Sequence, residues 1–179
     1  MIIFDTETTG LLAPQAAPIA QQPRIIEFAA VKLDDETLKE VDRFQFLCNP
    51  GVIIPEEVIK IHHITNEMVA SLPPLDKFLP DLISFFLGTK KVIAYNLSFD
   101  LNVLYYELTR RGFVTKFPWP PLQVCAAERA VPIKGYRLKL GDLHLELTGE
   151  EYSDKSHRAM DDVDALTRCV RIMEKKKLL

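Results

Sequence analysis

Four carboxylates and one imidazole stand in three short segments: Asp5 and Glu7 in Phe-Asp-Thr-Glu-Thr-Thr-Gly, Asp100 in Asn-Leu-Ser-Phe-Asp, and His157 with Asp162 in His-Arg-Ala-Met-Asp-Asp. Hard oxygen ligands drawn from separate parts of a chain, with a titratable nitrogen beside them, suit a divalent-metal site that assists phosphodiester hydrolysis. Such a site forms only if the fold brings the three segments to one place.

The first segment ends an apolar run, Met1-Ile-Ile-Phe4, that reads as a buried strand. Strand side chains alternate between faces, so Ile3, Asp5 and Glu7 share one side while Ile2, Phe4 and Thr6 share the other. The two acids therefore point together. Thr8-Thr9-Gly10 supplies turn residues, with Gly10 able to take a positive φ, and places the pair at the strand's C-terminal end, where ligands of open α/β sheets commonly bind. Two such carboxylates repel each other, and a divalent cation relieves the repulsion. The second segment follows another strand, Val92 to Asn96. Ser98 is a candidate N-cap, and Leu101, Leu104 and Leu108 mark a helix stripe. Asp100 falls in that helix's first turn, where an acid also serves simply as a dipole complement.

Helical periodicity separates the three aspartates of the third segment. Ala159, Val163, Leu166, Val170 and Met173 form an apolar stripe. Asp162 lies beside Val163 and about one turn before Leu166, so it is carried toward the buried side, where an acid is costly. Asp164 groups with Arg168 and Arg171 in a solvated ladder, and Asp161 is expected at the surface. His157 precedes Asp162 by five residues, about 140° around an ideal helix at about 100° per residue. The two converge only if His157 sits ahead of regular helix, with Ser153 or Ser156 as candidate caps.

In this order, the segments resemble the superfamily of 3′-to-5′ exonucleases whose site is four acids and a histidine, and among them the proofreading epsilon subunits of bacterial DNA polymerase III. Pro23-Arg-Ile-Ile-Glu-Phe-Ala-Ala-Val31 looks like that family's second strand, and Ile61-His-His-Ile-Thr65 looks like its His-Gly-Ile-Thr segment. His63 stands where a glycine is usual, and Leu122-Gln-Val-Cys replaces a segment that often holds Asp-Thr. The resemblance spans about residues 1–175. It implies a ribonuclease H-like, three-layer α/β fold with a mixed five-stranded sheet flanked by helices. It also implies two Mg²⁺ or Mn²⁺ ions: Asp5, Glu7 and Asp162 on one, Asp5 and a water-mediated Asp100 on the second, and His157 as general base. The backbone from Thr8 through Thr9 and Gly10 to Leu11, with the side chains of His62, Asn96 and Phe99, would grip the terminal nucleotide. Leu11 and Phe99 have a plain core reading as well. The expected reaction releases nucleoside 5′-monophosphates from the 3′ end of single-stranded DNA, with RNA trimming as the alternative substrate.

Two other classes compete. Phe4-Asp-Thr-Glu-Thr-Thr-Gly also looks like a haloacid-dehalogenase phosphatase loop with Asp5 as nucleophile, but that loop normally has Asp at the second acid and leaves Asp100 and His157 idle. A module that only binds nucleic acid or tethers a polymerase would not need all five reactive positions. A DNA polymerase is an expected partner, although the chain ends at Leu179 without the long tail by which epsilon-like subunits hold theirs.

Composition agrees with a single domain over residues 1–179: 47% of residues are hydrophobic, enough for a sizeable core. Lys and Arg number 22 against 25 Asp and Glu, a net charge of −3, so no broadly basic face is expected. With the four candidate ligand acids set aside, that −3 becomes +1; the acidity is partly the site's own. Cys48, Cys125 and Cys169 are odd in number and lack CxxC spacing, which points to a reducing cytoplasm rather than a disulfide framework or zinc site. No leader or membrane-spanning run is legible. Along the chain, strands are expected near 24–34 and 40–48, helical turns near 56–71, and a helix near 75–88. Pro118, Pro120 and Pro121 precede a helix near 122–130, and a short helix leads into a long one over 157–175. The proline-rich, uncharged stretch 12–23 reads as a loop, disordered or flanking the substrate groove.

Overall fold

The computed structural model describes residues 1–152 and 158–179. Five strands form one mixed sheet: β1 (Ile2–Thr8), β2 (Ile25–Leu33), β3 (Glu40–Leu47), β4 (Lys91–Ala94) and β5 (Leu122–Cys125). Their order is β3-β2-β1-β4-β5, with β1–β2 and β2–β3 antiparallel and β1–β4 and β4–β5 parallel. The mixed five-stranded α/β architecture is therefore as expected. The apolar runs of β1 and β2 are buried on both sides because β1 is central and helices cover both faces.

The helices are α1 (Glu56–His62), α2 (Asn66–Ala70), α3 (Leu79–Phe86), α4 (Leu97–Arg110), α5 (Ala126–Arg129), α6 (Val131–Lys134), α7 (Leu140–Thr148) and α8 (Ala159–Lys175). Strand alternation sorts the core into two layers. Ile2, Phe4 and Phe28 pack with Leu82 and Phe86 of α3 and Val103 and Leu104 of α4. On the opposite face Ile3, Ala29 and Val31 pack with Leu143 of α7 and with Ala159, Val163, Leu166, Val170 and Met173, the whole anticipated stripe of α8.

Four local expectations are corrected. Residues 122–125 are strand, not the start of a helix: Lys91 to Ala94 pair with Leu122 to Cys125, and helix begins only at Ala126. Parallel pairing with a neighbour overrides the weak helical bias of a four-residue stretch. Ser98 is not the cap of α4, which starts at Leu97 with Asn96 at the N-cap position and no side-chain cap. Asp164 does not ladder with Arg168 and Arg171; it pairs at 3.0 Å with Arg43 of β3, while Arg171 Nε donates to the Leu38 carbonyl. The 12–23 stretch is a loop, as expected, with a single 3-10 turn at Ile19–Gln21, but the disordered alternative is overturned: Arg110 donates to the carbonyls of Ile19, Gln22 and Pro23, and the Gln22 side chain bonds Ala13 and Pro14. The candidate caps Ser153 and Ser156 lie outside the described residues.

Candidate active site

β1 delivers Asp5 and Glu7 to the face covered by α8, and α8 delivers Asp162 from its first turn. One oxygen from each of Asp5, Glu7 and Asp162 lies within 4.8 Å of the others, the group of metal-ligating side chains found among the described residues. Asp162 also accepts a hydrogen bond from the Tyr152 hydroxyl at 2.6 Å, which fixes its carboxylate. Asp161, one residue earlier, is exposed.

Asp100 comes from the other face. It is 3% exposed in the first turn of α4, and its Oδ1 accepts from the Thr6 backbone N–H at 3.1 Å and the Thr6 hydroxyl at 2.8 Å. Thr6 thus binds Asp100 to β1 between the two strand acids. Asp100 lies outside the three-acid group, and its charge still reaches Asp5.

Electrostatics distinguish this cluster from ordinary surface acids. Burial, then the charges of Asp100, Glu7, Asp162 and Glu27, hold the Asp5 carboxyl well above its usual range. Glu7 is pushed to about 9 by burial and by Asp162, Glu27 and Asp100, with Arg158 opposing. Asp100 rises to about 7 through burial, against the Thr6 hydrogen bonds. Carboxylates that raise one another's pKa form a site that a divalent cation would stabilise. An all-oxygen donor set of this kind fits Mg²⁺ or Mn²⁺.

Glu27 was legible only as part of a strand, yet it belongs to the cluster. It sits directly opposite Glu7 in the β1–β2 register, just before a bulge at Glu7/Thr8. It accepts from Arg158 Nε at 2.9 and 3.1 Å, from Arg158 Nη2, and from the Ala159 N–H at 3.1 Å. The N-terminus of α8 thus receives a cap from β2, while the side chain of its N-cap residue, Arg158, makes no capping bond. The signal was available: an acid amid the apolar run Ile25 to Val31 is expensive unless paired.

The expected nucleotide-contacting residues gather around the same edge. Thr8 Oγ1 donates to the Gly10 carbonyl at 2.8 Å, while Thr9 Oγ1 accepts from the Arg24 N–H at 2.9 Å, so both hydroxyls shape the turn. Gly10 has a φ of +157°, with no atom within 4 Å of where a Cβ would lie, and Leu11 is 87% exposed. Leu11 thus lacks the full core role that was its alternative. Phe99 is half-buried against the core, and the Asn96 side chain accepts from Arg137. His62 is buried at the end of α1. Its Nδ1 accepts from the Ile64 N–H at 3.0 Å, which leaves the proton on Nε2, an atom with no hydrogen-bond partner among the described residues. Burial lowers the His62 pKa, and the Thr8 backbone acts the other way without completing a hydrogen bond. His157 lies outside the described residues.

Comparisons with known proteins converge. The exonuclease family profile, RNase_T, matches residues 2–170. The chain is 31% identical over 175 residues to a PolC-type DNA polymerase III of Clostridium perfringens, covering 98% of this chain and 11% of that protein. It is 39% identical over 106 residues to the DNA polymerase III epsilon subunit of Treponema pallidum, covering 59% and 45% respectively. The chain thus spans about a tenth of the first relative and under half of the second. Among solved structures, exonuclease X in complex with 5′-overhanging duplex DNA superposes with a TM-score of 0.66 at 25% identity, over 98% of this chain and 92% of that one. An exonuclease I from Methylocaldum szegediense gives a TM-score of 0.78 at 22% identity, covering 98% of this chain and 40% of that one, a likeness of fold. No described helix is long and apolar enough to cross a membrane. With its profile match running almost end to end over this acid cluster, the chain belongs to the exonuclease family.

Proposed function

We propose that this chain removes nucleotides from the 3′ ends of single-stranded DNA, releasing nucleoside 5′-monophosphates. The observation that carries the reading is the convergence of Asp5, Glu7 and Asp162 within 4.8 Å, with Asp100 bound to the intervening Thr6. These acids would hold two Mg²⁺ or Mn²⁺ ions, with Asp100 serving the second, and such a pair stabilises the attacking and leaving oxygens of an in-line displacement. Tyr152 and Thr6 orient Asp162 and Asp100 for that task. His157, five residues before Asp162, takes the proton from the attacking water; an imidazole with an ordinary pKa of about 6.5 does this near neutrality. The strip from Thr8 to Leu11, the Nε2–H of His62, and the side chains of Asn96 and Phe99 hold the terminal nucleotide. DNA is favoured because the sequence relatives are parts of DNA polymerases, and a replicative polymerase is the partner of the same reading. Residues 1–179 act as one domain in a reducing cytoplasm, consistent with three free cysteines.

The test is degradation of 5′-labelled single-stranded DNA and RNA of equal sequence with Mg²⁺, Mn²⁺ or EDTA, resolved at single-nucleotide steps. A metal-dependent ladder shortening from the 3′ end, faster on DNA, is expected. A faster RNA ladder would reassign the substrate. Intact strands in every lane would leave only a phosphatase or an idle binding module.

A further inference from the structure

We propose that Arg158, braced by Glu27, contacts the phosphate of the bound 3′-terminal nucleotide; this rests on the exonuclease reading of the same site. Three observations point to the contact. First, location: Glu27 faces Glu7 across the β1–β2 pair, so their Cβ atoms stand about 4.5–5.5 Å apart on one face. Arg158 stands one turn ahead of Asp162, whose N–H bonds the Arg158 carbonyl at 3.2 Å. The guanidinium is thereby held on Glu27, beside Glu7, whose carboxyl pKa its charge lowers.

Second, orientation. Glu27 takes Nε and Nη2, the side of the fork nearer the chain, and is itself only 10% exposed at its side chain, whereas that of Arg158 is 38% exposed. Nη1 makes no hydrogen bond among the described residues. A planar fork fixed along one edge presents its other edge to solvent without paying again for rotamer freedom, which is the arrangement suited to phosphate. Third, charge. Asp5, Glu7, Glu27, Asp100 and Asp162 carry −5 when ionised, and two divalent ions return +4, leaving a negative site for an anionic phosphodiester. Arg158 brings that balance to zero.

A purely structural pair would do no more than cap α8 through the Ala159 N–H. The two roles separate in a binding experiment that needs no turnover. Deoxyadenosine 5′-monophosphate and deoxyadenosine are titrated, each with Mg²⁺, into the full chain and into the Glu27→Gln/Arg158→Gln double variant. That variant keeps net charge and an amide acceptor for the α8 cap. Loss of one charge-assisted, part-exposed hydrogen bond should weaken the monophosphate about tenfold and leave deoxyadenosine unmoved. Equal affinity in both proteins, or an equal loss for both ligands, would overturn the contact. Arg158→Lys covers a failure of the double variant to fold: one ammonium cannot hold Glu27 and reach phosphate together, so a monophosphate-selective loss is expected again, and unchanged affinity overturns the proposal. If the unsubstituted chain binds neither ligand, the exonuclease reading falls first and the contact with it.

Discussion

Among the described residues, two places bury carboxylates, and they solve the same electrostatic problem in opposite ways. Glu107, 1% exposed in α4, accepts from the Ile25 N–H at 3.2 Å, from Arg110 Nη1 at 3.0 Å and from Arg111, with Arg24 at 3.9 Å. Arg110 carries the connection on to the 12–23 stretch. That acid is surrounded by cations, and it is architecture. At the end of β1, acids face acids, and Arg158, a cation beside them among the described residues, is already engaged by Glu27. Burial and mutual repulsion together raise Asp5, Glu7 and Asp100 there, an arrangement that a divalent cation arriving from outside would relieve. A buried acid that is paired builds the fold, whereas buried acids that crowd one another mark the site.

The sharpest break of that contrast comes from removing one acid on each side. Asp162→Asn should abolish hydrolysis while the melting temperature in EDTA holds or rises, because one repelling charge is gone and Tyr152 keeps an acceptor. Glu107→Ala should do the reverse. Stranding buried arginines and the Ile25 N–H costs about 3–5 kcal/mol, read as a large fall in melting temperature, with activity per folded molecule kept. If Asp162→Asn destabilised the metal-free protein as Glu107→Ala does, the two regions would not differ in kind. A smaller effect is expected at the base: His157→Ala should lower turnover about 10²–10⁴-fold in the ladder assay, with metal affinity retained by calorimetry. Weakened metal binding would make His157 a ligand instead.

The crowded cluster also sets a pH signature. Glu7 at about 9 and Asp100 at about 7 sit above their unfolded values, so the metal-free folded state binds more protons than the unfolded chain. Their contribution to stability is full below about pH 4, where both states are protonated, and is lost as pH rises to about 7 for Asp100 and about 9 for Glu7. Denaturant midpoints in EDTA should therefore fall across that window, and Mg²⁺, which needs the ionised acids, should bind more tightly and release protons on binding. A flat EDTA profile from pH 5 to 9 would mean the acids are not crowded in solution.

Much of the site was legible because burial is periodic. The strand period aligned Asp5 with Glu7, and the helical period singled out Asp162 from its two neighbours. What escaped were contacts between distant positions. Glu27 and Arg158 are 131 residues apart, and neither one's pattern names the other. Arg43 claims Asp164 across 121 residues, overriding the i,i+4 partner that local spacing offers. Residues 122–125 failed for the same reason: four residues carry too little periodicity to outweigh the helix that follows, and pairing with β4 decides.

The smallest predicted effect is the finest test of that helical reading. Asp161 and Asp162 are adjacent, chemically identical and both in the first turn of α8, so charge count and helix-dipole effects treat them alike. They differ in direction: Asp162 shares the metal-ligating group with Asp5 and Glu7, while Asp161 is exposed. Asp161→Asn removes a charge that complements the helix N-terminus, worth about 0.3–1 kcal/mol of stability, and should leave turnover near that of the unsubstituted chain. Side-by-side ladders at saturating Mg²⁺ read the comparison. Equal losses from the two substitutions would mean that negative charge at this end of α8 matters and its direction does not, which would remove the reason for assigning Asp162 to the metal.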